Sequence, residues 1–159
     1  MLIKAFTEYK KQKGSAGLLL IGKKGYGADN IMRLVSQSPY KKEIFLPGYV
    51  PSEDMSALLA GAVGFLFPSL YEGFGMPVLE TMKAEVPMIL SDISVFKEVA
   101  QNAALYAGPN DPIDWQRKMS ILESDNKLRQ DLIMRGRRRR QDFSWSKAAR
   151  ETWEILRGV

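Results

Sequence analysis

The chain has 159 residues, 45% of them hydrophobic and 26% charged, which are the proportions of one folded domain large enough to bury a core. It holds no cysteine and no histidine, so a disulfide framework, a thiolate metal centre and an imidazole base are excluded, and acid–base chemistry falls to carboxylates. The net charge of +5 traces to one run, Arg135 with Arg137 to Arg140, which argues against a uniformly basic nucleic-acid binder.

Leu2, Ile3, Phe6 and Tyr9 recur at helical spacing and predict a helix over residues 2–12. Residues 17–22 are a continuous apolar run ending in glycine, the pattern of a parallel strand buried on both faces. A loop over 23–27 follows, then a helix carrying Ile31, Leu34 and Val35. Gly22, Gly25 and Gly27 do not have the spacing of a dinucleotide fingerprint and read as turn formers. A strand over 43–46 stops at Pro47-Gly48, and Ser52 is placed to cap a helix with Glu53 and Asp54 in its first turn.

The run 62–67 reads as another fully buried strand, followed by a glycine-containing loop and a helix. Short strands near 88–90 and 104–106 flank a helix over 95–100. From Pro112 the pattern is helical over 112–123, 126–141 and 146–157, although Gly136 weakens the second helix enough to leave a loop open there. The longest apolar run, residues 58–67, is too short to span a bilayer, and the opening residues do not read as a signal peptide. Alternating strands and helices predict a single α/β domain: a doubly wound, Rossmann-like, mostly parallel sheet over residues 1–110 and a helical tail over 111–159.

The chemistry concentrates in residues 68–80. A strand ends, the loop carries Glu72, Gly73, Phe74 and Gly75, and the chain re-enters a helix with Pro77 in its first turn. No Ser, Thr, Asp or Asn stands at the expected cap near Met76, so the first N–H groups are available to an external anion. Glu72 and Glu80 flank this turn. As a glycosidase acid and nucleophile they would have to face each other across a scissile bond, which a loop and the helix directly after it do not provide.

PSLYEGFGMPVLE, together with LIKAF, LIG at 20–22, LPGYV at 46–50, SDI at 91–93 and FSW at 143–145, resembles the C-terminal, donor-binding half of retaining GT-B glycosyltransferases of the group 1 type, mannosyltransferases among them. The resemblance implies a catalytic role for Glu72 at the transferred sugar. It implies donor contacts from Gly73, Phe74, Gly75, Met76, Val78, Leu79 and Glu80, with Glu80 on the ribose hydroxyls. It sets the base near Gly22, Gly48, Tyr49 and Val50. The implied donor is a GDP- or UDP-sugar, with no metal or other cofactor, serving polysaccharide biosynthesis on a saccharide or lipid-linked acceptor held by an N-terminal domain. The implied location is cytoplasmic, and peripheral at the inner face of a membrane if Arg135 to Arg140 meet anionic lipid. The alternative is a non-catalytic interaction module with a vestigial sugar-nucleotide site and the same basic tail.

Two departures stand out. In the family the donor half begins with a further, central strand followed by an Arg and a Lys that grip the diphosphate; residues 1–2 fall just after that Lys. The sequence leaves three outcomes open: a fragment, a strand from elsewhere, or a sheet that closes up differently. Glu85 stands where the family has a glycine suited to a left-handed turn, so the backbone is strained there or the turn differs. Trp115, Trp145 and Trp153 read as packing residues, and Phe143 with Trp145 as the pair that docks the tail onto the sheet or onto the N-terminal domain.

Overall fold

The computed structural model describes residues 1–23, 25 and 27–158; Lys24 and Tyr26 of the loop expected over 23–27, and Val159, lie outside the described residues. The apolar stripe at the start forms α1 (Leu2–Lys11), with Ile3, Phe6 and Tyr9 buried. It is followed by β1 (Leu18–Ile21), α2 (Ala28–Gln37), β2 (Ile44–Gly48), α3 (Ser52–Ala60), β3 (Phe65–Phe67), α4 (Met76–Lys83), β4 (Met88–Ser91), α5 (Ser94–Ala100) and β5 (Ala104–Ala107). The tail is α6 (Pro112–Ser124), α7 (Asn126–Arg140) and α8 (Trp145–Arg157).

The tail boundaries are sharp because each helix has a side-chain cap. Asp111 accepts from the Ile113 and Asp114 N–H groups, Asp125 from Leu128 and Ser144 from Lys147. Ser52 does not cap α3; Pro51 holds that place and Ser52 is the first helical residue. Gly136 does not break α7. It is buried, and a Cβ there would stand 3.4 Å from Met82 Cγ, so the glycine lets α7 lie close against α4.

All pairing is parallel, in two separate sheets. β1 pairs with β2, Leu18 opposite Ile44, and β3, β4 and β5 pair in that order, with Ile89 opposite both Leu66 and Leu105. The sheet therefore does not close up. Between β1 and β3 lies a cleft of about 1300 Å³ lined by both strands, by α1 and by Ile31, Met32 and Leu58 of the helices that follow β1 and β2. At about 24 cal/mol per Å³, a sealed apolar void of that size would cost roughly 30 kcal/mol, more than a domain's whole stability of about 5–15 kcal/mol, so it is an open groove.

The groove explains where the sequence reading of buried strands fails. β4 is buried at every residue, but in β1 Leu19 and Ile21 are 42% and 38% exposed, and all three residues of β3 are only half-buried. Their apolar pattern is that of a central strand, whereas one hydrogen-bonding edge of each is open. Packing is tight elsewhere. Trp115 is fully buried and donates from its indole to the Gly108 carbonyl at 2.9 Å, in a core shared by α1, β4 and α6.

Candidate functional site

The 68–80 segment runs from the carboxyl end of β3 into α4. Gly75 is the N-cap, at φ +89° and ψ 53°, a left-handed conformation that an L side chain adopts only under strain. It is also buried: a Cβ would come within 2.9 Å of the Phe96 ring. No side chain caps α4, Pro77 has no N–H to offer, and Val78 donates to the Gly75 carbonyl at 2.9 Å. Among the described residues, the Gly75 and Met76 N–H groups meet no backbone acceptor. The helix thus presents free donors and the positive end of its dipole to whatever binds there.

Glu72 is half-buried and accepts a 2.6 Å hydrogen bond from the Ser69 hydroxyl, which fixes the carboxylate at the start of the loop. Glu80, one turn into α4, is exposed and lines the same cleft as Ser69, Gly22, Lys23 and Gly48. Gly22 and Gly48 close the ends of β1 and β2, the Gly22 N–H donating to the Gly48 carbonyl at 2.9 Å. Beside them Tyr49 is 62% exposed with the Lys23 ammonium 5.1 Å over its ring, and Val50 is half-buried. All of these groups sit at the carboxyl ends of parallel strands, where open α/β sheets bind ligands.

A second layer holds the loop. Phe74 packs edge-on against Phe143 at 5.9 Å, and the Arg139 guanidinium covers the other ring at 4.5 Å. Phe143 thus anchors the tail against the loop, as its sequence context predicts, whereas Trp145 and Trp153 do not pack within this chain, being 81% and 59% exposed, because α8 buries no residue. Val78 turns away from the loop surface. Its side chain is fully buried and its N–H is spent on Gly75, while Leu79 packs against the same core. Sequence reasoning missed Ser69, whose hydroxyl three residues before Glu72 was the available signal. It also missed Lys23, which only the fold brings to the site, and the packing of Phe96 beneath Gly75.

Set beside known proteins, the chain matches the sequence profile of the family described as glycosyl transferases group 1 over residues 1–139. The chain belongs to the group 1 glycosyl transferases. It is 38% identical over 137 residues to O-antigen chain mannosyltransferase B of Escherichia coli, covering 85% of this chain and 35% of that protein. It is 33% identical over 123 residues to O-antigen chain mannosyltransferase RfbU of Salmonella typhimurium, covering 76% and 35%. The chain thus spans about a third of the length of these relatives. Among solved structures, Anabaena HepE in complex with UDP and glucose superposes with a TM-score of 0.87 at 15% identity, over 99% of this chain and 44% of that one. Staphylococcus aureus TarM in a complex containing UDP gives 0.86 at 19%, over 98% and 31%. The fold is the doubly wound C-terminal domain of GT-B glycosyltransferases.

The basic run is largely committed to the fold of its own chain. Arg139 donates to the Glu98 and Val99 carbonyls, both at 2.9 Å, satisfying the end of α5, and pairs with Asp142. Arg135 pairs with Asp131 one turn earlier. Arg137 forks onto Glu85 at 3.0 and 2.6 Å. Arg138 and Arg140 make no ion pair with a described residue. Glu85 itself sits at φ +58°, so the left-handed turn is kept despite the lost glycine, and the Arg137 hydrogen bond holds its carboxyl below the ordinary glutamate range. Among the described residues no helix is long and apolar enough to cross a membrane, and no three Asp or Glu gather as metal ligands would.

Proposed function

We propose that this domain binds a nucleotide diphosphate sugar for retaining glycosyl transfer, as the donor half of a glycosyltransferase whose acceptor, a saccharide or lipid-linked saccharide, is held by an N-terminal domain. The observation that carries the reading is the uncapped N-terminus of α4, flanked by Glu72 and Glu80 on the strand-end face. The diphosphate lies against the Gly75 and Met76 N–H groups, where donors and dipole stabilise the charge that grows as the nucleoside diphosphate departs. Glu72, held by Ser69, accepts from sugar hydroxyls and orients the anomeric carbon. Glu80 accepts from the ribose diol. The base lies over Gly22, Gly48 and Tyr49. The mannosyltransferase names of two relatives favour mannose as the sugar, and UDP in two neighbours' complexes supports a nucleoside diphosphate site here.

Calorimetric titration with GDP-mannose, UDP-glucose and the free diphosphates tests this. Glu80→Ala is expected to weaken GDP or UDP binding about tenfold, the loss of one or two hydrogen bonds to a carboxylate. Glu72→Ala is expected to leave the free diphosphate unaffected and to weaken the sugar nucleotide. Equal loss of the free diphosphate in both variants overturns the division of roles, and no binding by folded protein overturns the site.

A further inference from the structure

We propose that Lys23 selects the nucleotide base, reading the O6 and N7 edge of guanine while Tyr49 stacks on the base face. This rests on the donor-site reading above and adds to it the class of base.

The placement starts from two glycines. Gly22 follows β1 and Gly48 closes β2, and the Gly22 N–H donates to the Gly48 carbonyl at 2.9 Å. That bond ties the two strand ends together, so the next residues, Lys23 and Tyr49, emerge side by side. A Cβ on either glycine would meet nothing within 4 Å, which leaves the backbone here open to a flat ligand. Tyr49 is 62% exposed, and the Lys23 ammonium stands 5.1 Å from its ring centroid.

The two side chains divide the work. Every base has a π-face, so stacking on Tyr49 supplies affinity without choice. The choice falls to Lys23. A cation over an exposed ring is held more weakly than a stacked base, so an arriving base displaces the ammonium from the Tyr49 face. The flexible four-carbon stem lets it move to the edge of that base. Among the described residues lining the cleft Lys23 is the one cation, and it makes no ion pair with a described residue. The diphosphate is placed at the α4 terminus, across the groove from β1, so Lys23 lies on the base side.

An ammonium only donates. Guanine offers it two adjacent acceptors, O6 and N7, and uracil offers one, O4. Adenine sets an amino donor beside N7, and cytosine presents its own amino group. GDP is therefore preferred, UDP follows, and ADP and CDP come last. The cleft carboxylates are Glu80, assigned to the ribose, and Glu123, which accepts from Ser15 and Ala16 at the other end of β1. Among the described cleft residues no carboxylate is left for the guanine N2 amino group. Hypoxanthine, which lacks only that group, is then accepted as well as guanine.

Titration calorimetry of the chain with GDP, IDP, UDP, ADP and inorganic pyrophosphate tests this, with a thermal melt to show that each variant is folded. GDP and IDP are expected to bind about equally, and roughly tenfold more tightly than ADP. Lys23→Met is expected to bring GDP down to the ADP level while changing ADP by no more than about twofold. Lys23→Arg keeps the gap, because a guanidinium fork matches the same edge. Tyr49→Ala weakens every nucleotide by one factor and keeps the GDP-to-ADP ratio. ADP bound as tightly as GDP by the parent overturns the selection and leaves the diphosphate site standing. Equal losses of GDP, ADP and pyrophosphate in Lys23→Met assign the lysine to the diphosphate and overturn its base role. IDP bound like ADP moves the reading to the N2 edge and overturns it too. No diphosphate bound by the folded chain overturns the donor site itself, and the base reading with it.

Discussion

Gly75→Ala is the substitution whose outcome the structure fixes most tightly. The new methyl must sit 2.9 Å from Phe96 Cε1, closer than side-chain carbons pack. Phe96 cannot swing away: it is fully buried and tilted against Phe67 at 5.1 Å. The φ of +89° adds a left-handed penalty of about 1–2 kcal/mol, and overpacking adds about 1–3 kcal/mol. Loss of glycine's freedom in the unfolded chain returns about 0.5 kcal/mol. The net is a destabilisation of about 3 kcal/mol, or a Tm lower by about 6–12 °C at this chain length.

Gly73→Ala is the control. Its Cβ meets nothing within 4 Å and its φ is not positive, so stability is expected to stay within about 0.5 kcal/mol. If the loop backbone approaches the donor as proposed, the same variant binds a nucleotide sugar about tenfold more weakly at unchanged Tm, since a methyl group intrudes on the contact. Thermal melts by circular dichroism and titration calorimetry read both. A Gly75→Ala melt within about 2 °C of the parent refutes the packing argument, and full-strength binding by Gly73→Ala refutes the backbone approach.

The Glu85–Arg137 fork predicts a pH dependence. The carboxyl is depressed in the folded state, so its contribution is present above the ordinary glutamate pKa and is lost as pH falls through the depressed value. The Tm gap between parent and Arg137→Gln should therefore exist at pH 7 and close below about pH 4; a gap that widens in acid contradicts the sign. Ser91 is fully buried with a hydroxyl that has no partner, so Ser91→Ala should raise Tm by about 2–4 °C, worth roughly 1 kcal/mol; a fall of that size would show that the hydroxyl is satisfied in solution. Arg139→Ala should lower Tm because the end of α5 loses both of its donors. The double variant Arg138→Gln/Arg140→Gln should leave Tm unchanged and abolish any salt-sensitive sedimentation with anionic liposomes; sedimentation that survives it removes lipid contact from this run.

Where sequence reading succeeded, the deciding forces were local. Helix α1, the three tail helices and the strand–loop–helix at 68–80 follow from apolar period and Pro77; the helices of α1 and the tail fall within a residue of the expected bounds, whereas β3 begins three residues later than the apolar run. It failed where the answer depends on a distant neighbour. Ser52 looks like a cap, but Pro51, fixed near φ −58°, takes that place. Gly136 looks like a helix breaker until Met82 of α4 is seen lying against it. Within the arginine run, the α5 carbonyls that take Arg139 and the Glu85 carboxylate that takes Arg137 are distant partners the sequence does not show. Glu85 itself was flagged correctly as strained, but its partner lies fifty-two positions away and was not readable.

The same distinction divides the candidate site. Its α4 side belongs to the tightly packed half: Gly75 rests on Phe96, Phe74 on Phe143, and Phe143 under Arg139, which is itself tied to α5. These groups hold their geometry before any ligand arrives, and preorganised donors are the ones that lower a barrier. The Gly22, Gly48 and Tyr49 side belongs to the half that borders the groove, where β1 has an open edge and α2 buries only Val35. A nucleotide sugar spanning both would meet a rigid diphosphate–sugar end on α4 and a base end at β1 and β2, whose groove-facing edge is open.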